Sequence, residues 1–125
     1  MNGNLILDTN IVIYALQGDH PIANLIEGEK LSISFITEIE LLSWPRLNEK
    51  DTGLIREFIS SSRVIEYSSA LKELVIMVRR KYNLKMSDAF VAASAILNEA
   101  PLISADTIFS KVKELQFFQV KPHQS

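Results

Sequence analysis

A chain of 125 residues that is 47% hydrophobic carries enough apolar side chain for one sizeable core, and a single domain over residues 1–125 is expected. A formal charge of −2 and a pI near 5.7 exclude binding to nucleic acid through bulk positive charge, so chemistry on a polyanion would need another device, such as a metal ion. The absence of cysteine removes disulfides, thiolate metal sites and a cysteine nucleophile, and His20 and His123, near opposite ends, form no zinc-like spacing.

The first element is a strand at about 4–7 (NLIL), aliphatic as a strand buried on both faces would be, and it breaks into Asp8, Thr9 and Asn10. The run from Leu5 to Leu16 is interrupted by Asp8 and Asn10, is too short to span a bilayer and lacks a basic flank. It reads as neither signal peptide nor membrane helix, and a soluble cytoplasmic protein is expected. Helical patterns at 11–17 and 21–28 lead to a second strand at 31–35 (LSISF) and a helix at 37–43, with Thr37 as its N-cap and Glu40 one turn further on. In the next helix, 51–61, Leu54, Ile55, Phe58 and Ile59 share one face while Arg56 and Glu57 point away.

A third strand at 63–66 (RVIE) precedes a helix at 70–82, whose Leu71, Leu74, Val75 and Val78 face the core and which ends in the basic group RRKYNLK. The helix at 87–99 carries Ala89, Ala92, Ala93, Ser94 and Ala95 among Phe90, Val91, Ile96 and Leu97, apolar nearly all round, so it is expected to be buried and closely packed, with Ser87 as N-cap and Asp88 in its first turn. Strands at 101–104 (PLIS) and 117–120 (FFQV) flank a short helix at 107–113. Strands alternating with helices imply an α/β fold, its parallel strands joined by right-handed crossovers.

In such a sheet, ligands bind beyond the carboxyl ends of the strands, near the point where strand order reverses. Asp8 ends the first strand, Asp106 follows the fourth, Glu40 lies just after the second, and Asp88 opens the buried helix leading into the fourth. Four acids can therefore converge on one edge. Each also has a local reading: Asp8 as a helix N-cap, Asp88 and Asp106 as first-turn acids that stabilise helix dipoles, and Glu40 as an exposed helix residue. Their coincidence favours the shared site, because clustered carboxylates repel unless a cation neutralises them. An oxygen-only set selects hard ions, Mg²⁺ or Mn²⁺, which hold phosphate oxygens and activate water in phosphodiester hydrolysis.

With these residues in place, the chain resembles the PIN-domain family of metal-dependent ribonucleases, particularly the VapC-like toxins of toxin–antitoxin pairs, over nearly its whole length. The family's aliphatic strand followed by Asp-Thr/Ser-Asn/Ser matches LILDTNIVI, its Thr-x-x-Glu-Leu matches TEIEL, its Pro-Asp-Ala with an Ala-rich helix matches SDAFVAASA, and its Thr-x-Asp/Asn followed by Phe matches SADTIF. Ser87 stands where Pro is common and Ser104 where Thr is usual, and neither departure removes a carboxylate.

The resemblance implies a single three-layer α/β/α domain with a central parallel sheet of about five strands. It also implies that Asp8, Asp88 and Asp106 hold Mg²⁺ or Mn²⁺, that Glu40 completes the acidic site, and that RNA is cut to 5′-phosphate and 3′-hydroxyl ends. Thr9, Asn10 and Ser104 would support the acids or contact phosphate. A small antitoxin partner and a homodimer are also implied, with the apolar residues Leu41, Leu42 and Trp44 as a surface for either; no membrane association is.

Arg79, Arg80, Lys81 and Lys85 lead directly to Asp88 and have two readings: a strip that steers RNA, or the solvated end of a helix where the dipole favours cations. The competing functions are a housekeeping RNA-processing nuclease of the same family, a non-catalytic RNA- or partner-binding protein, and a phospho-receiver-like signalling module. The last wants paired acids after the first strand and an Asp after the third, and this chain has a lone Asp8 and only Glu66 there. A haloacid-dehalogenase-like phosphatase needs a second Asp where Asn10 stands.

Overall fold

The computed structural model describes residues 4–122, so His123 lies outside the described residues. Five strands, β1 (Asn4–Leu7), β2 (Lys30–Ser34), β3 (Arg63–Ile65), β4 (Leu102–Ser104) and β5 (Phe117–Gln119), form one sheet in the order β3-β2-β1-β4-β5, with every pairing parallel. Six helices flank it: α1 (Thr9–Leu16), α2 (His20–Ile26), α3 (Phe35–Leu42), α4 (Glu49–Ser60), α5 (Ser69–Tyr82) and α6 (Met86–Leu97). The expected three-layer α/β/α arrangement is what forms. Among the described residues no helix is long and apolar enough to cross a membrane.

Period-two alternation along the central strands builds both halves of the core. Leu5 and Leu7 of β1 and Ile103 of β4 pack with Ile11, Val12, Ile22, Leu41 and Ile55 of α1 to α4, whereas Ile6 and Leu102 pack with α5, α6 and Phe109. A strand with both faces covered must be aliphatic throughout, which is why LIL carries no polar residue until it leaves the sheet at Asp8. The small residues of α6 allow the close approach to the sheet and α5 expected of an all-round apolar helix, with Ala89, Ala92, Ala93, Ser94 and Ala95 all buried.

The helix starts differ from those read in the sequence. Ser34, the last residue of β2, caps α3 by accepting from the Ile36 N–H at 3.1 Å, so strand passes to helix without a loop and Thr37 lies inside the helix instead of capping it. Likewise α6 begins at Met86 after the extended Lys85, which makes no side-chain cap, and this places Ser87 within the first turn. The segment expected as a helix at 107–113 is a 3-10 helix at Thr107–Lys111, short enough for the tighter geometry.

Candidate functional site

The carboxyl edge of the sheet at β1 and β4, where the strand order reverses, is held together by polar side chains. The Asp8 N–H donates to the Ile103 carbonyl at 3.0 Å, extending the β1–β4 ladder, and Asp8 is then the N-cap of α1. Its Oδ1 accepts from the Thr9 N–H at 2.9 Å and its Oδ2 from the Ser104 hydroxyl at 2.7 Å. The same Ser104 oxygen accepts from the Asp106 N–H at 3.0 Å, while Asn10 Oδ1 accepts from the Ala105 N–H at 3.2 Å and Asn10 Nδ2 reaches Asp8 Oδ2 at 3.4 Å. Thr9, Asn10 and Ser104 thus all hydrogen-bond to the Asp8 carboxylate.

Glu40 comes to this edge from α3, its Oε1 accepting from the Thr9 hydroxyl at 2.6 Å. Asp88 arrives in the first turn of α6, and Asp106 as the N-cap of the 3-10 helix, its Oδ1 accepting from the Ile108 N–H at 2.9 Å. The local roles as caps and first-turn acids are therefore real for Asp8, Asp88 and Asp106. They do not account for the electrostatics. Asp8 is 8% exposed, and burial pushes its pKa up; the Ser104 and Thr9 hydrogen bonds pull it down, and the charges of Asp88 and Glu40 push it up. Asp88 is raised first by burial and then by Asp106 and Glu40, with Lys85 the cation that opposes them. Asp8 thus feels Asp88 and Glu40, Asp88 feels Asp106 and Glu40, and among the described residues Asp8 accepts hydrogen bonds only from neutral donors.

The acids share an edge without forming a closed cage: among the described residues no three His, Cys, Asp or Glu side chains are gathered tightly enough to hold a metal ion as they stand. At this edge Glu40 is engaged by the Thr9 hydroxyl and Asp106 by the N–H of its own turn. The donor chemistry, oxygen only around a carboxylate raised by burial and then by like charges, fits a hard divalent cation.

The basic group divides. Arg79 Nε donates to the Leu84 carbonyl at 3.2 Å, Lys81 pairs with Glu114 at 2.6 Å, Arg80 is exposed at the end of α5, and Lys85 reaches Asp88 electrostatically. Lys81 is engaged at the surface, and Lys85 acts electrostatically on Asp88. Of the apolar surface expected at Leu41, Leu42 and Trp44, Leu41 (1% exposed) and Trp44 (45% exposed) line one apolar groove with Ile13, Leu16, Leu47, Leu54 and Ile55, whereas Leu42 is half-buried outside it.

The sequence reading missed the contact that Thr37 makes with Thr9, at 3.1 Å between the two hydroxyl oxygens. The signal was the spacing of three between Thr37 and Glu40, which places both on one helix face once Ser34 is taken as the cap.

The family model described as the PIN domain matches residues 5–115. No curated protein matches the chain significantly. Among solved structures, the chain is similar to VapBC2 from Rickettsia felis bound to a DNA fragment of its promoter (TM-score 0.84, 21% identity, 94% of this chain and 99% of that one). It is also similar to a toxin–antitoxin complex from Klebsiella pneumoniae (TM-score 0.79, 26% identity, 97% and 99%) and to DNA-bound VapBC from Salmonella typhimurium (TM-score 0.77, 18% identity, 93% and 97%). The strand order differs from the 2-1-3-4-5 order of a receiver domain, which removes the signalling-module alternative.

Proposed function

The chain belongs to the PIN-domain family, and from that premise we propose that it is a Mg²⁺- or Mn²⁺-dependent endoribonuclease and the toxin of a toxin–antitoxin pair. The observation that carries the reading is the arrangement of Asp8, Glu40, Asp88 and Asp106 about the switch-point edge, where burial first and neighbouring acids second raise the pKa of Asp8 and Asp88 and, among the described residues, neutral groups alone donate to Asp8. Such an arrangement is unfavourable for a purely structural acid and favourable for one that meets a cation.

In this reading Asp8, Asp88 and Asp106 hold the ion, with Glu40 completing the set. When bound, the ion supplies Lewis-acid polarisation of a phosphoryl oxygen and makes water a competent nucleophile at neutral pH. The chain's own part is positioning. Ser104 fixes Asp8 Oδ2 from the neighbouring strand, Asn10 ties the Asp8 turn to the Ala105 backbone, and Thr9 holds Glu40. In the same reading Lys85, which acts electrostatically on Asp88, would meet a phosphate of the substrate together with Arg79 and Arg80, and Lys81 would contribute least because Glu114 engages it.

The toxin role is supported by the family match together with likeness to a toxin–antitoxin complex over nearly the full length of both chains. A small antitoxin, a homodimer and a cytoplasmic setting belong to the same proposal, with the groove around Trp44 as a contact for an antitoxin tail or a second subunit. The decisive experiment is cleavage of structured RNA by the purified protein in Mg²⁺ or Mn²⁺, abolished by EDTA. Cleavage that continues in EDTA overturns the mechanism. Expression that leaves bacterial growth and RNA untouched removes the toxin role.

A further inference from the structure

Behind Glu40 stands a residue outside the acid set. Thr37 is fully buried in α3, three residues before Glu40, and its Oγ1 lies 3.1 Å from the Oγ1 of Thr9, which in turn lies 2.6 Å from Glu40 Oε1. A threonine hydroxyl has one proton to give and lone pairs to receive. An ionised Glu40 can only accept, and its contact with Thr9 is the shorter, charge-assisted one, so the Thr9 proton goes to Glu40. The contact between the hydroxyls then runs the other way, with Thr37 donating and Thr9 accepting.

The two ends of this chain of hydrogen bonds differ in freedom. Thr37 is β-branched, helical and packed on all sides, which restricts its χ1. Glu40 is exposed and has long, mobile torsions to fix. A buried helical threonine can satisfy its hydroxyl on a carbonyl of its own helix; Thr37 instead meets a side chain of α1 that itself touches an acid of the edge. We propose that Thr37 is a positioning residue that acts through Thr9 to hold the Glu40 carboxylate toward the acidic edge. The inference rests on the reading of that edge as a metal-dependent nuclease site.

Thr37→Val keeps the shape and deletes the hydroxyl, whereas Thr37→Ser keeps the hydroxyl; Thr37→Ala serves if the valine variant fails to fold. Binding of Mn²⁺ alone is measured by calorimetry on the full chain, followed by RNA cleavage. Thr37→Val should weaken Mn²⁺ binding about tenfold and lower kcat by a similar factor with KM for RNA unchanged, the effect expected of a group supporting a metal ligand. Thr37→Ser should restore both. In a Thr9→Val background, Thr37→Val should add nothing, because its effect passes through Thr9. An unchanged Mn²⁺ affinity in Thr37→Val, a full loss in the Thr9→Val background, or no rescue by serine overturns the inference. A wild-type protein that shows this coupling in Mn²⁺ binding but cuts no RNA overturns the nuclease reading and leaves the positioning role standing; one that cuts RNA and ignores Thr37 does the reverse.

Discussion

Glu114, on the segment leading into β5, and Asp8, at the end of β1, are two carboxylates in opposite surroundings. Glu114 accepts from Lys81 Nζ at 2.6 Å and from the Tyr82 hydroxyl, and these two hydrogen bonds lower its pKa to about 2 although it sits in open solvent. Asp8 is buried, meets neutral donors, has Asp88 and Glu40 as charged neighbours, and is raised. The chain therefore pairs the acid that needs pairing least, since water already solvates Glu114, and leaves uncompensated the one for which burial is costly. At that edge the Ser104 and Thr9 hydrogen bonds offset part of the cost, and a cation arriving from outside would offset more.

The largest effect should come from removing a charge at the edge. Asp8→Asn and Asp88→Asn should each reduce RNA cleavage on the order of a thousandfold, equivalent to the several kcal/mol a divalent ion supplies to a phosphoryl transition state, while the folded domain persists in circular dichroism. Glu114→Gln should cleave like wild type. Equal losses in all three would erase the contrast between the two sites.

Metal binding sharpens the same contrast in stability. Mg²⁺ at about a hundredfold excess over its dissociation constant should stabilise wild type and Glu114→Gln by ~2.7 kcal/mol in thermal melts against EDTA, and Asp8→Asn by less. In EDTA, Asp8→Asn should be as stable as wild type or more so, because the amide removes a buried charge and, with it, the repulsion from Asp88 and Glu40. If all three respond to Mg²⁺ alike, Asp8 is only the cap of α1.

Ser104→Ala tests what holds the edge together without metal. It removes the 2.7 Å hydrogen bond to a buried carboxylate, and loss of a bond to a charged group should cost about 1.5–3 kcal/mol in urea unfolding. The Asp8 pKa should rise further, since Ser104 is the largest influence lowering it.

What the sequence made legible follows from what is local in it. The LIL run and its break at Asp8 are dictated by burial on both faces of a central strand, and the four acids stand out because each follows or opens an element whose direction the parallel sheet fixes. Helix starts were less legible where two residues compete for one cap: Ser34 and Thr37 are both acceptable, and only the direct passage of β2 into α3 selects Ser34 and buries Thr37. The Lys81–Glu114 pair joins residues 33 apart across two elements. No periodicity announces such a contact, so RRKYNLK kept two readings, an RNA-steering strip or the solvated end of a helix, without showing that Lys81 is engaged.

The smallest effect expected, and the one in which the two sites act with opposite sign, is the dependence of metal-free stability on pH. Asp8 and Asp88 have folded pKa values above their unfolded ones, so the folded state binds more protons; their contribution is most favourable in acid and declines as pH rises through and above the unfolded value of ~3.9. Glu114, lowered from 4.5 to about 2, contributes stability that is present above its unfolded pKa and disappears as pH falls through about 2. Lys81, raised, keeps its share below 10.5 and so drops out of the acid range. Because this corner is solvent-exposed, screening leaves its effect small, and salt should shrink it further. Urea unfolding in EDTA from about pH 2 to pH 7 should then show Glu114→Gln gaining relative to wild type toward acid, and Asp8→Asn gaining relative to wild type toward neutrality. Parallel curves for the two variants would mean that the paired and unpaired carboxylates are electrostatically alike, and the contrast between the sites would fall.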